Sequence, residues 1–137
     1  IPLWPKLRWF SDFFAEHHAL VAVSQYTHSW AYSFDMDRPL ESLVENYIGE
    51  FVNRCFDYRV QLKINFMKKY NCDGFVLFSN RSCKPNAFGL YDKRNIISKL
   101  TGLPGAVFEA DMSDLRFFSE SQVRAELEPF FEQLRSK

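Results

Sequence analysis

"GFVLFSNRSCKPNAFGLYDKRNIISKLTGLPGAVFEA", residues 74–110, decides how the rest of the chain is read. It opens on one short apolar run, "GFVLFS", and closes on another, "GAVFEA". Runs of this kind are what strands covered on both faces look like. Between them "AFGLYDKRNIISKL" predicts a helix, ended by "TGLPG". Gly102 suits a left-handed C-cap there, and Pro104 prevents the helix from continuing. A strand, a helix and a strand in this order predict a parallel pair with a crossover.

Upstream, "PKLRWFSDFFAEHH" predicts a helix with Pro5 in its first turn and Leu7, Phe10 and Phe14 on one stripe. His17 and His18 read as its solvated C-terminal end. "ALVAVS" predicts another buried strand, and "QYTHSWAYSFDMD" a polar and aromatic loop. Asp37 is expected to cap a second helix, with Pro39 just inside it. Leu40, Leu43, Val44, Tyr47, Ile48 and Phe51 give that helix its apolar face. "FDYRVQLKINFMKKYN" predicts a third, burying Phe56, Val60, Ile64 and Met67. Downstream, Ser119 and Gln122 have capping-box spacing. Val123, Leu127, Phe130 and Leu134 form the core stripe of the last helix, which Pro129 is expected to kink or to tighten in its second half. The whole predicts a single α/β domain over residues 1–137. Its expected architecture is a three-layer open parallel sheet with helices on both faces, of the flavodoxin or Rossmann kind, with "ALVAVS", "GFVLFS" and "GAVFEA" as neighbours.

The bulk numbers set bounds. A chain of 137 residues with 47% hydrophobic and 25% charged residues is ordinary for a globular domain with a real core. The formal net charge of zero gives no electrostatic reason to expect nucleic acid or an anionic membrane as partner. No apolar run approaches the length of a membrane span. The opening "IPLWPKLRWF" has no cleavage pattern and no initiator Met, and reads as the start of a piece cut from a longer protein. The three cysteines, Cys55, Cys72 and Cys83, are odd in number and unevenly spaced. That argues against a disulfide framework and for a reducing compartment.

In open α/β sheets ligands bind beyond the carboxyl ends of the strands. The loops "QYTHSW", "NRSCKPN" and "DMSD" leave those ends and are expected to cluster, bringing together His28, Arg81, Ser82, Cys83, Lys84, Asp111 and Asp114. Cys83 precedes a helix and has Arg81 and Lys84 beside it, all of which favour a thiolate. The alternative is an inert buried thiol, as many free cysteines are. His28 reads as a hydrogen-bonded pocket residue or a base, and Asp111 and Asp114 as paired carboxylates or a capping turn. Cys55, Cys72 and Cys83 match no zinc or ferredoxin cysteine spacing.

The stretch from "YNCDGFVLFSNRSCKPNAFG" through "GLPGAVFEADMSDLRFFSESQVRAELEPFFEQL" resembles the C-terminal segment of the 2-hydroxyacyl-CoA dehydratase family, which also includes benzoyl-CoA reductase subunits. Its marks are the "DG" entering a strand, the "SCKP" loop, "GLP", and the "EADMSDLRF" turn. "IPLWPKL" and "YTHSWAYSFDMDRPLE" extend the resemblance over the whole chain, more loosely.

The resemblance implies a cytoplasmic enzyme of two related subunits acting on an acyl-CoA. It implies a [4Fe-4S] cluster held by three cysteines, of which Cys83 is one and the other two lie outside this chain. It also implies an ATP-dependent iron–sulfur activator that supplies one electron. A ketyl radical of the thioester then loses water to give an enoyl-CoA. Arg81, Ser82, Lys84 and His28 are the expected cofactor-binding residues, and Cys83 the expected metal ligand. This chain alone is expected to hold no stable cluster. A benzoyl-CoA reductase subunit, or a non-catalytic subunit-pairing module, are the alternative readings.

Overall fold

The computed structural model describes residues 6–136. The helices are α1 (Leu7–Glu16), α2 (Gln25–Ser29), α3 (Pro39–Gly49), α4 (Phe56–Lys69), α5 (Lys84–Ala87), α6 (Leu90–Thr101) and α7 (Glu120–Arg135). The strands are β1 (Phe75–Asn80) and β2 (Gly105–Ala110), and 3-10 turns occupy Phe51–Asn53 and Leu115–Phe117.

β1 and β2 pair in parallel, from Phe75 opposite Gly105 to Asn80 opposite Ala110. The register depends on Gly105, where a Cβ would run into the Phe75 ring. α6 makes the crossover and stops where expected, because Gly102 adopts φ 71° at its end. Strand alternation then sends neighbouring side chains to different cores. Phe78 joins Phe13 of α1, Ala106, Phe108 and Ala110 of β2, and Val123, Leu127, Phe130 and Phe131 of α7. Phe75 packs instead with Val60, Ile64 and Met67 of α4 and Ile97 of α6. The first core is built from rings: Phe78 stacks on Phe108 at 5.0 Å, and Phe131 meets Phe13 edge-on at 5.5 Å.

Several expectations are corrected. "ALVAVS" is not a strand, and the sheet of the described residues has two strands rather than three. A strand needs a neighbouring ladder for its amides and cover for its side chains; here Leu20 and Val21 lie largely in solvent. The chain is turned just before them. His18 takes φ 55°, and Ala19 and His18 donate back to the carbonyls of Phe14 and Ala15. These two bonds form a Schellman cap without glycine. α1 buries Phe13 completely, with Trp9, Phe10 and Phe14 partly covered, while Leu7 is exposed. Its stripe is therefore rotated from the expected one. His17 is not solvated: its ring lies flat on Phe131 at 4.1 Å and its Nε2 sits 3.5 Å from Glu128.

The apolar face of α3 is likewise uncovered. Leu40, Val44, Tyr47 and Ile48 are all more than half exposed, and only Phe51 beyond the helix is buried. Arg38, not Asp37, is the N-cap residue, with Pro39 in the first turn. Asp35 organises the approach by accepting the Asp37 amide at 3.0 Å. Part of the expected loop at 25–37 is the short helix α2. Ser119 caps α7 by accepting the Gln122 amide, but the Gln122 side chain turns forward to Glu126 and closes no box. α7 runs through Pro129 as one helix.

The packing predicts unequal costs. Phe131→Ala removes a ring buried to 1% exposure, and is expected to cost about 3–5 kcal/mol in urea unfolding. Leu40→Ala, on the uncovered face, should stay within about 0.5 kcal/mol.

Candidate functional site

The carboxyl ends of β1 and β2 lie side by side, and the loops that follow them, 81–83 and 111–114, are joined by two buried polar residues. Asn80, fully buried, ends β1. Its Oδ1 accepts the Met112 amide from the other loop at 3.1 Å and the Ser82 hydroxyl at 3.3 Å. Asp111, 5% exposed, follows β2. Its Oδ2 accepts the Ser82 amide across the gap at 3.2 Å. Its Oδ1 accepts the amides of Ser113 and Asp114 at 3.1 and 3.0 Å. The Arg81 amide adds a bond to the Ala110 carbonyl at 3.0 Å, so the strand ladder runs one residue into the loop. Asn80 Nδ2 is buried and has no partner.

This corner sets where Cys83 sits. The Cys83 amide donates to the Asn80 carbonyl at 3.1 Å, and the thiol is half-buried. The expected support of the thiol by helix amides is not seen. α5 is four residues long, and the amides of Asn86 and Ala87 bond to the carbonyl of Cys83. Of the two cations beside it, Arg81 is engaged: it lies 3.6 Å from Glu109 and 4.5 Å over the Phe117 ring. Lys84 is exposed and makes no ion pair among the described residues.

Two residues that sequence reasoning passed over hold the loop from below. Arg59 of α4 donates Nη1 to the Pro85 carbonyl at 2.6 Å, and Lys93 of α6 donates Nζ to the Phe88 carbonyl at 3.4 Å. Asn80 was also missed. Its signal is an amide side chain closing an apolar run just before a turn, where the buried backbone of two loops needs acceptors.

The expected cluster forms only in part. Arg81, Ser82, Cys83, Lys84, Asp111 and Asp114 come together, and His28 does not. With no strand at 19–24, His28 lies in α2, its ring 4.6 Å from Phe66 near the far end of α4. Phe56, which lies against Gly89 at the end of the Cys83 loop, is ten residues earlier on α4, about 15 Å along the axis. Of the two readings of Asp111 and Asp114, capping is what the geometry shows. Asp114 accepts the Arg116 amide at 3.0 Å and forms an ion pair with its guanidinium at 2.6 Å.

A [4Fe-4S] cluster needs several thiolates converging from fixed positions. Cys72 packs against the α4 and α6 core at the amino end of β1, the opposite end from Cys83. Burial, then the charge of Asp73, raises its thiol pKa. Cys55 is exposed at the start of α4. No group of three or more His, Cys, Asp or Glu able to hold a metal occurs among the described residues. Cys83 is one candidate thiolate, and no second thiol is recorded beside it among the described residues. No helix of the described residues is long and apolar enough to cross a membrane.

Hydrogen bonding from Ser82, and then from the amides of Asp114 and Ser113, holds the Asp111 carboxyl at about 2 against the opposing effect of burial. A carboxyl depressed from 3.8 contributes stability that is complete above about pH 4 and lost as pH falls through about 2. Asp111→Asn is expected to lower the thermal midpoint at neutral pH and to flatten the acid limb between those values. An unchanged pH–stability profile would count against the bonded carboxylate.

The comparisons with known proteins agree with one another. The family described as 2-hydroxyglutaryl-CoA dehydratase, D-component, matches residues 1–134. The chain is 31% identical over 141 residues to a benzoyl-CoA reductase subunit of Thauera aromatica, a match covering 99% of this chain and 33% of that protein. It is 27% identical over 137 residues to the alpha subunit of lactoyl-CoA dehydratase from Anaerotignum propionicum, covering 99% and 32%. It is 26% identical over 137 residues to the (R)-2-hydroxyisocaproyl-CoA dehydratase alpha subunit of Clostridioides difficile, covering 100% and 33%. The chain spans about a third of the length of these curated relatives.

Proposed function

The chain belongs to the 2-hydroxyglutaryl-CoA dehydratase D-component family, and on that premise we propose that it is the part of a 2-hydroxyacyl-CoA dehydratase subunit that presents Cys83 to the reaction chamber. The observation that supports this is the position of Cys83. It follows a buried strand end, on a loop fastened to its neighbour by Asn80 and Asp111. A metal-binding or substrate-facing thiol needs such a rigid seat, because a ligand misplaced by an ångström loses much of its effect.

The reaction is the loss of water from a 2-hydroxyacyl-CoA to give an enoyl-CoA. The α carbon–oxygen bond and a β carbon–hydrogen bond break, a carbon–carbon double bond forms, and the overall change is redox-neutral. The β-hydrogen is not acidic in the thioester, so the proposal includes the one-electron, ketyl-type route and an ATP-dependent iron–sulfur activator. Cys83 supplies one thiolate to a [4Fe-4S] cluster whose other ligands come from outside this chain. Lys84, exposed and unpaired among the described residues, and Arg81 with Ser82 offer charge and hydrogen-bond donors to the bound cofactor or to coenzyme A phosphates. A second subunit completes the chamber, as the subunit names of the relatives suggest. Three free cysteines fit a reducing, cytoplasmic setting.

One observation favours a second reading. The identity of 31% is with a benzoyl-CoA reductase subunit, so electron delivery to an aromatic thioester is the rival chemistry. Assays of the assembled enzyme with 2-hydroxyacyl-CoA and with benzoyl-CoA separate the two: enoyl-CoA formation supports the first, ring reduction the second.

In the complete subunit with its partner, Cys83→Ala is expected to abolish the reduced-cluster paramagnetic signal and turnover together. Cys72→Ala should keep both and cost about 1 kcal/mol of stability. A cluster that survives Cys83→Ala and is lost with Cys72→Ala would overturn the assignment.

A further inference from the structure

Below the Cys83 loop, three cations gather without a counter-charge. Arg59 and Lys63 lie one turn apart on α4, and Lys93 faces them from α6. Lys93 is 1% exposed. Its Nζ has the Phe88 carbonyl at 3.4 Å and the Phe56 ring at 5.7 Å. Lys63 Nζ is 6.0 Å from the Phe51 ring centre. Arg59 bonds the Pro85 carbonyl through Nη1, while its Nε is buried and has no partner. No carboxylate pairs with any of the three among the described residues.

Burying like charges without an anion is costly. The two lysines respond as that cost requires. Burial, then the charges of Lys93 and Arg59, pushes Lys63 down to about 7. Burial, then Arg59, pushes Lys93 down to about 8. Arg59 and Lys63 are only half-buried, so the cluster opens to solvent on their side. Arg59, with one donor unused, and the two lysines lie close enough to feel one another's charge, beside the Phe51 and Phe56 rings and the carbonyls of Pro85 and Phe88. A carboxylate would satisfy one of these cations; a tetrahedral dianion can satisfy all three, with Arg59 as its fork.

We propose that Arg59, Lys63 and Lys93 form a binding site for a phosphate-class anion, either a free phosphate or a phosphate group of coenzyme A. The anion site rests on the cation cluster, and coenzyme A as the source of its phosphate rests on the dehydratase reading. An anion seated there also reinforces the loop above it, because Arg59 and Lys93 hold the carbonyls of Pro85 and Phe88.

The test is calorimetric titration of the chain at low ionic strength and pH 8, in two buffers of different ionisation enthalpy. The probes are inorganic phosphate, pyrophosphate, coenzyme A and dephospho-coenzyme A. Binding is expected to take up protons, because an anion raises both lysine pKa values. The double variant Lys63→Gln/Lys93→Met should bind about tenfold or more weakly, while Lys68→Gln, on the exposed side of α4, should bind as the parent does. Coenzyme A binding about tenfold more tightly than its dephospho form assigns the site to the coenzyme's terminal phosphate. Equal binding of pyrophosphate and coenzyme A assigns it to a free anion. Folding of the double variant is checked by circular dichroism. Nitrogen NMR of the lysine Nζ groups in the parent chain gives an independent reading, in which phosphate moves the Lys63 and Lys93 titrations upward. Probes that do not bind, binding unchanged in the folded double variant, or lysine titrations that phosphate leaves in place would each overturn the proposal.

Discussion

The arrangement at the sheet edge depends on one buried carboxylate. Asp111 leaves water at the end of β2 and recovers the loss through bonds from three backbone amides, one of them across the gap on the β1 side. A carboxylate so placed is stable only while those donors stay in position, and the donors are fixed only while the carboxylate holds them. Asn80 repeats the pattern from the other strand, reaching Met112 in the opposite loop. The two loops are therefore one object. The parallel register beneath them, set where Gly105 gives room to the Phe75 ring, decides that their ends coincide. Cys83 inherits its position from this chain of constraints, through the hydrogen bond from its amide to the Asn80 backbone carbonyl.

Two further supports converge on the same loop from the helical side. α4 and α6 pack through Val60, Ile64, Met67 and Ile97, and that contact places Arg59 and Lys93 under the carbonyls of Pro85 and Phe88. Carbonyls at the end of a short helix attract cations, yet three cations exceed what two carbonyls can offset. The same cluster therefore serves the loop and leaves a positive charge unanswered.

How much of this could be read from the chain differs by element. Most of the unit of residues 74–110 was legible because apolar runs, a glycine where a left-handed cap was needed and a proline beyond it agreed; the start of the crossover helix was not, since α6 begins at Leu90 rather than Ala87, after the short α5 and a left-handed Gly89. "ALVAVS" and the α3 stripe carry apolar patterns too, yet Leu20, Val21, Leu40, Val44, Tyr47 and Ile48 lie open to solvent. Periodicity marks a face that burial would favour, but it does not say which element supplies the cover. His28 depends on the same point, since only a strand directly before it would put it at the sheet edge. The place of Cys83 beyond the end of β1 was legible from the apolar run before it, but the helix amides and the Arg81 charge expected to support its thiol are engaged elsewhere. Asn80, Arg59 and Lys93 were not, since a polar side chain acquires its role from backbone groups brought to it by the fold. Lys93 in particular sits on the buried face of α6, where composition gives no warning.

Amide hydrogen exchange on this chain tests the central point, that the carboxyl-edge loops are one rigid seat for Cys83. The amides of Ser82, Met112, Ser113 and Asp114, although in loops, are predicted to exchange as slowly as those of the β1–β2 ladder, because each ends on a buried side-chain oxygen. Exchange of these four at the rate of exposed loop amides, with the ladder still protected, would contradict it.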